Sequence, residues 1–177
     1  MIDNVDAGYR LTRHLIENGY RRIGALFGEA STTGRERRQG FEKALREHDL
    51  TPAVMRYLPP RIQAGHEAAL AILSAPDRPD AILASNSLLS AGALEAIREL
   101  NLIIPDDVAL AGFDETTWST LVQPTLTVIA QPTYEIGQTA MELLLKRIAQ
   151  PDAPVRQVIL KGQLMARKSS AARVLSI

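Results

Sequence analysis

The chain of 177 residues has the length of one ordinary domain, and its apolar fraction of 46% is that of a globular protein. No apolar run is long enough to cross a bilayer. Twenty basic and twenty acidic residues cancel, which argues against a nucleic-acid surface on this segment, and the lack of cysteine excludes disulfides, thiolate metal sites and cysteine nucleophiles.

Taken in order, the chain alternates helix and strand. Asp6 to Asn18 puts Leu11, Leu15 and Ile16 on one helical face, and Gly19 is a C-terminal stop. Ile23 to Phe27 is a first buried strand that opens into the loop Gly28 to Gly34. Arg35 to His48 is amphipathic through Phe41, Ala44 and Leu45; Val54 to Leu58 is a short strand halted by Pro59-Pro60. A helix follows from Gly65 to Leu73, then a strand from Ala81 to Ala84. Ser85-Asn86-Ser87 leads into a helix carrying Leu94, Ile97 and Leu100. Val108 to Ala111 is a strand ending in Gly-Phe-Asp, where Gly112 is expected to let the backbone turn and leave Asp114 at the strand's end. Leu126 to Ile129 is a fifth strand, Thr133 to Ala149 another helix, and Val155 to Leu160 with Gln163 to Ala166 a final extended pair. The class is α/β: an open, mostly parallel sheet with helices on both faces.

Polar groups then gather at one edge. The Gly28 to Gly34 loop, Pro59-Pro60, Ser85-Asn86, Asp114 and Gln131 each follow a strand, so in a parallel sheet all lie along its carboxyl edge, where ligands sit. Arg37 belongs to the helix after the first loop and reaches the same crevice. An arginine, a carboxylate and two carboxamides suit a neutral ligand rich in hydroxyls. Each has a plainer role as well: Asp114 as a turn cap, Asn86 as an N-cap, and Arg37 within the solvated run Arg35 to Arg38.

Other chemistry finds little support. The loop from Gly28 to Arg35 has the wrong glycine spacing for a phosphate loop and lacks its lysine; no Gly-x-Ser-x-Gly elbow exists. His14, His48 and His66 stand at no metal-ligand spacing. The reading is therefore of a binding module, not an enzyme, with no cofactor and no metal. Met1 to Asn4 shows no secretory signal, which fits a cytoplasmic protein.

The chain resembles the ligand-binding part of the lactose-repressor/galactose-repressor family of bacterial transcription regulators. The resemblance is carried by Ile2-Asp3-Asn4 with Ala7-Gly8, by Gly19-Tyr20-Arg21-Arg22-Ile23, and by Arg37-Arg38-Gln39-Gly40-Phe41. It continues through Arg78-Pro79-Asp80-Ala81-Ile82, Asn86 with Gly92-Ala93-Leu94, and Pro105 to Asp114. Pro124-Thr125-Leu126-Thr127, Gln131-Pro132 and Ala166-Arg167-Lys168-Ser169-Ser170 complete it.

The resemblance implies that Arg37, Asn86 and Asp114 bind the effector, with added contacts from Thr33 and Gln131. Ser87 replaces the aspartate of the family's Asn-Asp pair, and Pro60 stands where several members stack an aromatic on the ligand, which weighs against a flat nucleobase. By the same resemblance, residues 1–130 are the second lobe of a two-lobed ligand-binding domain, 131–152 a crossover helix for the first lobe, and 153–177 strands returning to the second. The family's helix-turn-helix and first lobe have no counterpart in this sequence. Operator DNA is then reached only through an N-terminal domain outside it. The implied partners are a small-molecule effector, a sugar or sugar derivative, and a second copy in a homodimer; no membrane is involved. Without the first lobe, Ile136, Leu143, Leu144 and Ile148 lack a covering sheet and are expected to drive self-association or irregular packing. The alternative is a periplasmic sugar-binding protein of an ABC transporter; the Pro-Thr-Leu-Thr, Gln-Pro and Ala-Arg-Lys-Ser-Ser stretches favour the regulator. A flavodoxin-like enzyme domain is a distant third.

Overall fold

In the computed structural model, which describes residues 1–172, the strands β1 (Ile23–Gly28), β2 (Val54–Leu58), β3 (Ala81–Ala84), β4 (Ala109–Phe113), β5 (Thr127–Ala130) and β6 (Gln163–Met165) form one sheet. Their order is β2-β1-β3-β4-β5-β6; β1 to β5 run parallel and β6 pairs antiparallel with β5. Side chains alternate across a strand, and here the alternation builds two cores. Ile23, Ala25, Phe27, Leu83 and Phe113 meet Leu11 and Leu15 of α1 (Asn4–Glu17) and Phe41 and Leu45 of α2 (Thr32–Glu47). On the opposite face Leu26, Ile82, Leu110 and Val128 meet Ile72 of α3 (Ile62–Leu73) and Leu89 and Ile97 of α4 (Ser87–Glu99). Each large apolar side chain so buried contributes about 1.5–3 kcal/mol relative to exposure.

One device draws each helix pair together. A Cβ on Gly40 of α2 would lie 2.1 Å from the Val5 carbonyl of α1, and one on Gly92 of α4 would lie 2.1 Å from the Ile62 carbonyl of α3. Backbones approach where no larger residue fits.

Three helices begin earlier than the sequence pattern indicates. Asp3 caps α1 by accepting from the Asp6 amide at 2.9 Å, and Ser31 caps α2 by accepting from the Gly34 amide at 3.2 Å. Such caps are worth about 1 kcal/mol each and outweigh apolar periodicity in setting a start. The third, α3, starts at Ile62, with Arg61 as its N-cap between the two prolines and the helix. A short helix, α5 (Thr117–Leu121), was not expected; α6 (Thr133–Ala149) has the expected bounds.

Two strand expectations are corrected. The strand expected over 108–111 runs Ala109–Phe113, because Gly112 pairs with Ala84 and Phe113 with Ile129. Gly112 therefore does not make the turn. Its role is space, since a Cβ there would meet the Ser90 Oγ at 2.3 Å, and the turn comes at Asp114, with φ of 72°. The stretch 155–160 is not a strand: it touches the N-terminal segment by one bridge, Ile2 to Leu160, and leaves Val155 88% exposed. No residue of α6 is buried, although Ile136 packs against the first core. Of the segment 153–177, residues 173–177 lie outside the described residues. Among the described residues no helix is long and apolar enough to cross a membrane.

Candidate functional site

Parallel strands bring the ends of β1 to β5 to one edge, and the loops there are tied together. The Gly28 amide at the end of β1 donates to the Ser85 Oγ beyond β3, at 2.9 Å. A Cβ on Gly34 would lie 2.5 Å from the Gly28 carbonyl, so the turn from β1 into α2 closes only around glycine. Thr33 is thus in the first turn of α2, exposed, with its Oγ1 2.7 Å from the Ser31 Oγ. Asn86 caps α4, its Oδ1 accepting from the Leu89 amide at 2.9 Å, while its NH2 group is not used by the cap. The plainer capping role therefore holds for Asn86, and it leaves two donors over. Gly28, Ser31, Thr33, Pro60, Asn86 and Leu88 line a hollow of about 240 Å³.

Arg37 lies one turn further along α2 and is only 4% exposed. Its Nε donates to the Asn4 Oδ1 at 3.0 Å and its Nη1 to the Ser85 carbonyl at 2.6 Å. The guanidinium carbon lies 4.0 Å from the centroid of the Phe113 ring, a cation–π arrangement. Burial lowers the Arg37 pKa, and the charges of Asp114 and then Glu36 oppose that shift. Arginine stays protonated under all such perturbation.

Asp114 follows β4 in the left-handed region, its amide donating to the Ile129 carbonyl at 3.0 Å. Its Oδ1 accepts from the Gln131 Nε2 at 2.5 Å. It does not cap α5, whose N-cap position is Thr116, with the Thr116 amide donating to the Ser119 Oγ at 3.2 Å.

The predicted residues fall into two groups. Arg37 lies over Phe113 in the field of Asp114, which Gln131 bonds, while Thr33 and Asn86 line the hollow, and Ser85 joins the groups by bonding Arg37 and preceding Asn86. Two contributors escaped the sequence reading, Asn4 and Phe113; Ser85 was expected at this edge beside Asn86, but its bond to Arg37 was not. Asn4 and Phe113 lie within the stretches that carry the resemblance, but only contact distances reveal their task.

Chemically the edge can hold hydroxyls. Asp114 accepts, Arg37 Nη2 and the Asn86 amide donate, and Gln131 Oε1 accepts once its NH2 is turned to Asp114. The histidines are engaged elsewhere: His14 with the Ser170 Oγ, His48 with the Ala44 carbonyl, His66 with Glu99. No three His, Asp or Glu side chains among the described residues could hold a metal ion. A larger hollow, about 590 Å³, lies between α6 and the loop after it and shares no residue with this edge.

Residues 12–170 match the model of the periplasmic binding protein-like domain. The HTH-type transcriptional repressor PurR of Haemophilus influenzae is 35% identical over 170 residues, which are 93% of this chain and 51% of that protein. The chain thus spans about half the length of the curated relatives it matches. Among solved structures, a LacI family transcriptional regulator from Enterococcus faecium with bound ribose is similar, with a TM-score of 0.88 and 27% identity over 97% of this chain and 64% of that one. The transcriptional regulator CelR in complex with cellobiose also has a TM-score of 0.88, with 32% identity over 95% of this chain and 52% of that one.

Proposed function

The chain belongs to the periplasmic binding protein-like domain family, in the form carried by the lactose-repressor/galactose-repressor regulators, and we propose on that footing that it is the effector-sensing part of a transcription regulator, a repressor. The effector is a sugar or sugar derivative. One observation carries this: a buried arginine, held from behind by Asn4 and Ser85, stands with Asp114 and Gln131 at the carboxyl edge of a parallel sheet. That set recognises vicinal hydroxyls and contains no activated nucleophile. The bound ribose and cellobiose of the two similar regulators support the same ligand class.

In this reading residues 1–130 form one wall of the cleft, Arg37, Asn86, Asp114, Thr33 and Gln131 contact the effector, and α6 belongs against a further lobe. Sensing takes place in the cytoplasm, and two copies act together on a two-fold operator. The sugar shifts the population between operator-binding and released states, as far as its affinities for the two differ. No observation favours the transport-receptor alternative.

The test is a titration of the intact regulator with pentoses, hexoses and β-linked disaccharides, followed by operator binding with the best ligand. A bound sugar that changes operator affinity supports the reading. A regulator that binds none of them, or whose response survives Asp114→Asn, overturns it.

A further inference from the structure

We propose that Asn4 is the positioning residue of the effector arginine, its buried side-chain carbonyl fixing the plane in which Arg37 meets ligand. This rests on the effector reading of Arg37 given above.

The argument starts from what arginine can do. It has five N–H donors and no acceptor, so any atom that holds it must be an acceptor. Nε is held by the Asn4 Oδ1 at 3.0 Å, Nη1 by the Ser85 carbonyl at 2.6 Å, and one face by Phe113. Two bonds and a ring face fix a planar group. Nη2 takes part in none of these bonds, and its two N–H groups are left as donors for ligand.

Asn4 is itself over-determined. It is 3% exposed, in the first turn of α1, and its Nδ2 donates to the Glu36 Oε2 at 2.9 Å. Arginine can only donate and a carboxylate can only accept, so both neighbours demand the same orientation of the amide. An amide also differs from a carboxylate in what it does to Arg37. Aspartate at this place would face Glu36 as a second acid and neutralise the cation from within the protein. Asparagine holds the direction and leaves the charge uncancelled for Asp114 and the ligand.

The same helix holds the arginine's backbone. A Cβ on Gly8, one turn after Asn4, would lie 2.2 Å from the Arg37 carbonyl. Thus α1, which supplies no residue to the predicted ligand set, beds Arg37 at both its side chain and its main chain.

The test reads Arg37 directly and needs no ligand. In the 15N-labelled chain the Arg37 Nε–H resonance is identified by its loss in Arg37→Lys, and its exchange with water is measured. Slow exchange is expected in the wild type, at least tenfold faster exchange in Asn4→Ala, and slow exchange again in Asn4→Asp, which keeps the acceptor oxygen. Unchanged exchange in a folded Asn4→Ala protein overturns the proposal. Should Asn4→Ala not fold, the wild type decides: a Nε–H that exchanges as fast as that of exposed Arg35 overturns it, and a protected one supports it. A separate titration with D-ribose and cellobiose compares Arg37→Ala with the wild type. Unchanged affinity there sinks the effector reading of Arg37, whereas the exchange data still judge Asn4.

Discussion

The guanidinium of Arg37 lies over the ring of Phe113, 4.0 Å from its centroid, so the residue before Asp114 is the floor beneath the cation. Both residues are buried, and the ring offers its negative face in place of the water that Arg37 has lost. The family-type run Gly-Phe-Asp thereby serves the site twice, with a floor from one residue and a carboxylate from the next.

Phe113→Leu removes that face while keeping an apolar side chain. It is expected to destabilise the fold by about 1 kcal/mol and to weaken sugar binding through Arg37. Urea unfolding and ligand titration on one protein sample measure both effects. Full affinity in the variant would show that the ring does not steady the guanidinium.

Asp114 has φ of 72°, a conformation that asparagine tolerates and alanine does not. Asp114→Asn should stay within about 0.5 kcal/mol of wild-type stability and lose the effector response. Asp114→Ala should add a backbone penalty of about 1–2 kcal/mol, visible as a lower melting temperature. Equal stability of the two variants would count against the strained turn.

Two glycines should respond in opposite directions. Gly8→Ala drives a Cβ to 2.2 Å from the Arg37 carbonyl, and a loss of about 1–3 kcal/mol is expected. Gly137, in the exposed helix α6, has nothing within 4 Å of where its Cβ would lie. Gly137→Ala should raise stability by about 0.5–1 kcal/mol through helix propensity alone. Denaturant titrations of both variants check the pair.

His14 gives a pH dependence. Its Nε2 lies 2.8 Å from the Ser170 Oγ, which donates onward to Thr127. Burial lowers the His14 pKa, with Glu17 pulling the other way. The unfolded chain then takes up the proton more readily, so this contribution is complete above the unfolded value of about 6.5 and is lost as pH falls through it toward the folded value. Melting temperatures between about pH 8 and pH 5 should show the decline, and His14→Gln should flatten it.

The apolar face of α6 leaves Leu144 53% and Ile148 67% exposed. The isolated chain is expected to self-associate through this face, and Leu144→Glu with Ile148→Glu should return it to monomer in sedimentation velocity. A wild-type chain that already sediments as a monomer and binds no hydrophobic dye rules this out.

Much of this molecule is legible in its residues. Unalternating apolar runs such as Ile23 to Phe27 and Ala81 to Ala84 mark strands covered on both faces, and their alternation with amphipathic helices leads to a parallel sheet. Because parallel strands all end at one edge, the placing of Asp114, Asn86 and Gln131 there follows as well. Starts of helices were less legible, since Asp3 and Ser31 act through hydrogen bonds that periodicity does not express.

What tertiary structure alone decided concerns contacts between segments distant in sequence. That Gly112 makes room for Ser90 while Asp114 makes the turn depends on how closely α4 approaches β4. The bonds of Asn4 and Ser85 to Arg37 span 33 and 48 positions, and no local pattern encodes a hydrogen bond across such intervals. Composition and periodicity determine which surfaces must be buried; the meeting of particular polar atoms is fixed only when those surfaces close on one another.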